Sequence, residues 1–303
     1  MMAMQKIPSL RGELLEHEPM SRHTTWRIGG PARRYYRPAD IDDLVLFLRQ
    51  LPEGEPLYWV GLGSNLLVRD GGVDGTVIAT SGRLNDIELT GEGRVRVECG
   101  VSCGKVARFC ARQGLVGAEF LCGIPGTMGG ALAMNAGCFG GETWSLVERV
   151  ETVDHHGNTH LRAPSEYRIG YRQVRGPIGE WFVATHLKLQ PGDSSELQAR
   201  IRTLLEQRSS SQPTQLPNAG SVFRNPQGDH AARLIEAAGL KGRCVGAACV
   251  SDKHANFIVN TGGASASDIE MLIEQVQSEV QRQFGVRLQR EVHIIGEAGG
   301  GVA

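Results

Sequence analysis

The stretch LPNAGSVFRNP, residues 216–226, sets Ser221 behind Asn218 and Gly220 and ahead of the apolar pair Val222 and Phe223 and of Arg224. Two kinds of chemistry suit a serine in that position. Asn, Gly and Ser are ordinary turn formers, and a turn asks nothing of the hydroxyl beyond a local hydrogen bond. A serine hydroxyl can also take part in proton transfer where solvent is excluded. The residues alone leave both readings open.

Two glycine-dense segments offer a different chemistry. VGLGSNLLVRDGGVDGTVI (60–78) and GIPGTMGGALAMNAGCFGGE (123–142) both follow apolar stretches and bunch backbone N–H groups with no side chains in the way. Such loops cradle phosphate, and they also make tight turns in strand-rich folds. The nearest approach to a dinucleotide fingerprint is Gly61-Leu62-Gly63-Ser64-Asn65-Leu66. It lacks the third glycine, and a strand rather than a helix is expected to follow, so a Rossmann unit is excluded by context. No GxxxxGK[ST] occurs, which excludes a P-loop.

Seven cysteines are present: Cys99, Cys103, Cys110, Cys122, Cys138, Cys244 and Cys249. Cys99 and Cys103 are four apart, but no second Cys/His pair lies near enough to close a metal site. The expectation is free buried thiols in a reducing cytoplasm and no metal centre.

These groups must be positioned by elements that the periodicity announces. ADIDDLVLFLRQLPEG (39–54) reads as a helix with a polar start and a Pro-Gly stop, and residues 56–80 read as strand, glycine turn, strand, turn, strand. Hairpins are expected at 87–99 and at 147–163, the second turning at 156–158. A short helix covers 102–115, a glycine-rich loop with a small helix 116–143, and a strand 180–190. A boundary falls near 191–198, where Ser195 and Gln198 predict a capping box for a helix with Leu197, Ile201, Leu204 and Leu205 on its buried stripe. Ser267 and Glu270 predict a second capping box, for a helix that Gly285 stops. The last strand is expected over 286–295, with Val286, Leu288, Val292 and Ile294 on one face and Glu291 on the other. This is an α+β pattern twice over, a larger half at about 20–190 and a smaller one at about 195–298.

Bulk composition agrees. Of 303 residues, 41% are hydrophobic, and the formal net charge is −1. No basic stripe suggests nucleic acid. No apolar run reaches membrane-spanning length, and the N-terminal twenty residues lack the apolar core of a signal peptide. A cytoplasmic protein, expected to be a monomer, is the reading. Glycine is the outlier, 40 residues where an average chain of this length has about 20.

The ordered motifs HTTWRIGGPARRYYRP (23–38), GLGSNLLVRDGG, GIPGTMGGALAMNAGCFGGE, YRIGYRQ (167–173), NAGSVFRNP (218–226), DKHANFIVN (252–260) and LQREVHIIG (288–296) span nearly the whole chain. Together they resemble the UDP-N-acetylenolpyruvoylglucosamine reductases. These bacterial cell-wall enzymes reduce the enolpyruvyl ether of a UDP-sugar to a lactyl ether with FAD and NADPH, yielding UDP-N-acetylmuramate for peptidoglycan. The resemblance implies an FAD-binding domain of the vanillyl-alcohol-oxidase type at 20–190, in two lobes (about 20–82 and 83–190). A smaller α+β substrate domain at 195–298 follows.

By the same resemblance FAD is held noncovalently. Gly61, Gly63, Ser64, Asn65 and Leu66 would approach its pyrophosphate and ribose. Gly123, Ile124, Pro125, Gly126, Gly129, Gly130, Asn135, Ala136 and Gly137 would line the rest of the flavin. Ser221 matches the family's proton donor. Arg172 matches the arginine at the substrate carboxylate, with Arg168 and Arg175 close enough in sequence to be mistaken for it. Glu291 matches a catalytic glutamate, whose task implies a carboxyl pKa above the ordinary value, from burial near the flavin. Tyr171, Arg224 and Asn225 are expected at the substrate, and Lys253, His254 and Asn256 near a phosphate. The chain departs from its relatives in two ways. Arg224 stands where many have lysine, and no inserted loop with a uridine-closing tyrosine lies between Arg172 and Ser221, so the chain resembles the loop-lacking subclass.

Two other readings compete. An oxygen-using oxidase on the same fold would tether its flavin through a residue such as Cys138. A non-catalytic sugar-nucleotide-binding module would have no use for Ser221, Arg172 and Glu291 together.

Overall fold

The computed structural model describes residues 9–299. The first lobe is a four-stranded sheet in the order Glu13–Pro19, Pro31–Arg37, Val73–Ala79, Leu57–Val60. The first pair is antiparallel and the other two are parallel. The helix Ile41–Gln50 is capped by Asp40, whose side chain accepts from Asp43 N. It buries Leu44, Phe47 and Leu48 against Tyr36 and Ile78 of the sheet, the i, i+3, i+4 stripe its sequence dictates.

The second lobe is a five-stranded antiparallel sheet, Thr159–Arg162, Val147–Asp154, Glu180–Lys188, Arg94–Glu98, Ile87–Gly91. Both expected hairpins are present. The helices Cys103–Arg112 and Met128–Met134 cover it. The helix Ser194–Ser211 belongs to this core as well. Its buried Leu197 and Ile201 share a hydrophobic cluster with Val106, Cys110 and Leu121, so it packs with the second lobe although the boundary near 191–198 assigns it to the C-terminal half.

The third unit has the antiparallel strands Cys244–Val245, Ala248–Val250 and Ile258–Asn260 and the helices Ala231–Ala237 and Ala266–Phe284. Its core is shared with the first lobe, because Trp26, Ile28 and Leu67 lie in the same cluster as Val222, Phe223 and Ile273. Trp26 Nε1 donates to Ile258 O at 2.8 Å and Asn260 Nδ2 to Trp26 O at 3.0 Å. The chain end then returns to the first lobe, where His293–Ile295 pairs in parallel with Leu66–Val68.

Four local expectations are corrected. Asp193, not Ser195, caps the helix Ser194–Ser211, accepting from Ser195 N and Glu196 N. Ser265 with Asp268 forms the later capping box, and Glu270 instead pairs with Arg69 of the first lobe at 2.8 Å. In both cases an acceptor two residues earlier reaches the orphan N–H groups of the first turn better. Leu205 is exposed rather than on the buried stripe. The regular strand near the C-terminus is only His293–Ile295, because residues 289–291 bond irregularly to the Ser221 segment, Arg224 N to Gln289 O and Glu291 N to Val222 O.

The cysteines also depart from expectation. Cys99, Cys103, Cys110 and Cys122 are free and buried, and Cys138 is free and half-buried. Cys244 and Cys249 form a disulfide. They face each other across adjacent antiparallel strands, a pairing that spacing alone does not reveal.

Candidate active site

The glycine segments meet where the two lobes meet. A Cβ on Gly61 would collide with Thr127 Oγ1 of the second segment, and one on Gly126 would lie 3.3 Å from Ser64 Oγ of the first. Part of the glycine excess therefore serves the contact of one loop with the other. Two cavities flank this contact. One, of about 320 Å³, has Gly61, Gly129 and Gly130 in its wall together with Trp59, Tyr167 and Trp181. The other, of about 280 Å³, is walled by Ser64, Asn65, Gly123, Ile124 and Pro125 and by Ala136 and Gly137.

Arg172, Ser221 and Glu291 all line the second cavity. Arg172 sits in the two-residue turn between the strands Arg168–Gly170 and Gln173–Arg175, in the left-handed region at φ 52°. A non-glycine residue there carries backbone strain that its surroundings must hold. Its guanidinium is held on two sides, Nε donating to Glu291 Oε1 at 3.1 Å and Nη2 to Gly137 O at 2.8 Å. The Tyr171 ring lies 5.1 Å from the guanidinium carbon, within cation–π range. Arg168 and Arg175, the neighbours most easily confused with Arg172, pair across the ladder outside the cavity wall.

Glu291 has only 11% of its side chain exposed. Burial pushes its carboxyl pKa up, while Arg172 and then Arg224 pull it back. The rise expected from the sequence is present, and desolvation is its largest cause. Asn65 fixes the backbone beneath, Nδ2 donating to Glu291 O at 3.1 Å.

Ser221 follows Gly220, whose φ of 72° lets the chain turn into the cavity wall. Beyond it the chain is clamped by Asn256. Val222 N donates to Asn256 O at 2.9 Å, Phe223 N to Asn256 Oδ1 at 3.0 Å, and Asn256 Nδ2 to Phe223 O at 2.8 Å. Asn256, expected near a phosphate, is buried and orders the Ser221 segment.

Other residues fall outside the cavity wall. Leu66 pairs with His293. Asn135 is buried and accepts from Trp144 N. Asn225 Oδ1 accepts from Ala231 N at the start of a helix, Lys253 Nζ donates to Ser209 O, and His254 packs edge-on to Phe257. Sequence reasoning missed Arg208 and Gln212, which line the cavity from the end of the helix Ser194–Ser211 and just beyond. Arg208 Nε donates to Gln212 Oε1 at 3.1 Å. Their only signal is an arginine in a helix end that runs toward the Ser221 segment.

A cavity lined by glycine-rich backbone, with a largely buried arginine–glutamate pair in its wall, suits a bound nucleotide cofactor. Comparison with known proteins gives the class. Residues 32–161 match the family model described as FAD binding domain, and residues 212–295 match UDP-N-acetylenolpyruvoylglucosamine reductase, C-terminal domain.

The chain belongs to the UDP-N-acetylenolpyruvoylglucosamine reductase family. It is 65% identical over 287 residues to the reductase of Alkalilimnicola ehrlichii, covering 95% of this chain and 96% of that one. It is 62% identical over 288 residues to that of Methylococcus capsulatus, covering 95% of each. The crystal structure of the Thermus caldophilus reductase superposes with a TM-score of 0.81 at 34% identity, over 94% of this chain and 99% of that one.

Proposed function

We propose that Ser221, Arg172 and Glu291 carry out the substrate half of an FAD- and NADPH-dependent reduction of UDP-N-acetylglucosamine enolpyruvate to UDP-N-acetylmuramate. The residues present fit FAD: two cavities on either side of the joined glycine segments suit an elongated dinucleotide whose phosphates lie against side-chain-free backbone. Ser64, Asn65, Gly123 to Gly126 and Ala136 to Gly137 would hold it. When bound, FAD would supply the enolpyruvyl methylene carbon with hydride drawn from NADPH.

The chain's own groups do the rest. Negative charge grows on the neighbouring carbon and spreads into the substrate carboxylate. Arg172 is permanently charged and planar, and faces that charge with a fork already oriented by Glu291 and Gly137 O. Ser221 Oγ–H gives its proton to the α-carbon. Glu291 holds Arg172 in place and, with its raised pKa, supports the protonation step. The observation that carries this reading is the convergence of all three side chains on one 280 Å³ cavity beside the glycine segments. Arg208, Arg224 and Tyr171 would contact the remainder of the substrate. We take the protein to act as a cytoplasmic monomer. Among the described residues no helix is long and apolar enough to cross a membrane.

Anaerobic stopped-flow spectroscopy tests the assignment. In Ser221→Ala, flavin bleaching by NADPH stays near the wild-type rate, and recolouring by the enolpyruvyl substrate slows by about 10²-fold or more. Equal slowing of both steps would remove Ser221 from the proton-donor role.

A further inference from the structure

The Cys244–Cys249 pair has no part in the reaction just described, and its place in the fold is informative. Gly246 and Ala247 make a two-residue turn between Cys244–Val245 and Ala248–Val250. Val245 and Ala248 close the ladder, so the cysteines fall at the next, non-hydrogen-bonded position, where facing Cα atoms come nearest. Their Cα atoms are 4.1 Å apart. Cys244 is exposed and Cys249 half-buried, and both border a cavity of about 410 Å³ whose wall includes Leu216, Ser251 and Lys253. That cavity lies apart from both glycine-segment cavities and opens beside the chain leading to Ser221.

The same ladder runs on toward the active site. Cys249 pairs with Val259 in the next strand, and Val259 bridges Asn218. Asn218 Oδ1 accepts from Gly220 N at 3.0 Å, one residue before Ser221. Asn260 N adds a bond to Pro217 O at 2.9 Å. Three backbone segments, 248–250, 258–260 and 217–220, therefore lie side by side from Cys249 to the residue before Ser221.

We propose that Cys244 and Cys249 are a reversible dithiol–disulfide site that exchanges with low-molecular-weight thiols and disulfides through this cavity, and that its closure stiffens the ladder carrying Ser221. In the closing direction one cysteine thiolate attacks a small disulfide, forming a mixed disulfide and expelling one thiolate. The other cysteine thiolate then attacks the protein-side sulfur and expels the second. The protein gives up two protons and two electrons, and the small disulfide leaves as two thiols. Opening is the reverse, with a small thiol as reductant. The pair differs from Cys99, Cys103, Cys110 and Cys122, which burial shields from exchange.

The test equilibrates FAD-loaded protein with mixtures of reduced and oxidised glutathione, quenches in acid, alkylates after unfolding and counts labels by mass spectrometry. The count is expected to switch reversibly between seven thiols and five, with Cys244 and Cys249 the peptides that change. Cys244→Ser and Cys249→Ser should each abolish closure. A pair that stays shut in excess glutathione, stays open in excess glutathione disulfide, or is replaced by change at another cysteine would overturn the exchange site. The count does not depend on catalysis, so it stands or fails apart from the reductase reading. The coupling rests on that reading. Flavin recolouring by substrate should be about threefold or more faster in the closed form, with NADPH bleaching unchanged. Equal recolouring in both forms would overturn the coupling.

Discussion

Arg172 Nε and Glu291 Oε1 lie 3.1 Å apart although 119 residues separate them in the chain. Each is largely buried, with side-chain exposures of 17% and 11%. Removing one partner of such a pair leaves the other charged and desolvated. The pair is therefore both a structural tie between the second lobe and the chain end and the device that aims the guanidinium into the cavity.

Arg172→Lys keeps the charge and loses the planar fork that reaches Glu291 and Gly137 O together. Recolouring of reduced flavin by substrate should slow by about 10²- to 10³-fold. Bleaching by NADPH should change little. Stopped-flow traces of the two steps separate these outcomes, and a comparable loss in both would argue against a role specific to substrate.

Glu291→Gln should separate activity from stability. Burial raises the Glu291 pKa in the folded protein, so the folded state holds this proton more tightly than the unfolded chain does. Stability from this group is fullest below the ordinary carboxylate range and is lost as pH rises through it to the raised value. Glutamine stays neutral and escapes that loss. The melting temperature of the variant minus that of wild type should grow as pH rises through and above the ordinary carboxylate range, while turnover is abolished. A difference that is flat or shrinks with pH would count against a desolvated carboxyl.

Asn256→Ala strips the side-chain partners from Phe223 N and Phe223 O, both buried. Two unsatisfied backbone groups should cost roughly 2–4 kcal/mol. Urea unfolding measures this, and a loss well under 1 kcal/mol would mean that water replaces both bonds. In the fraction that stays folded, substrate recolouring should slow more than NADPH bleaching.

Trp26→Phe probes the seam between the first lobe and the third unit. Trp26 is fully buried and donates to Ile258 O at 2.8 Å. Phenylalanine leaves that carbonyl unpaired and should cost about 1–3 kcal/mol. Because the core is shared across the seam, unfolding should remain a single transition by fluorescence and by circular dichroism.

Much was legible in the sequence because it is local. The stripe of the helix Ile41–Gln50, the hairpins at 87–99 and 147–163 and the two glycine segments follow from residue type and spacing, which steric rules convert directly into backbone conformation. The likeness of seven ordered motifs to one reductase family rested on the same local strings. What the tertiary structure decided is non-local. The cap positions shifted by two residues because the better-placed oxygen won, and the terminal strand shortened because residues 289–291 bond to Val222 and Arg224. Arg208 entered the cavity wall only because its helix packs on the second lobe. Asn256 became a clamp, and Cys244 met Cys249, through strand register that no spacing announces. Above all, Ser221, Arg172 and Glu291 share a cavity because the chain end returns to pair with Leu66–Val68. That return is a choice among many loop closures, settled by burial of a core common to the first lobe and the third unit rather than by any one stretch of residues.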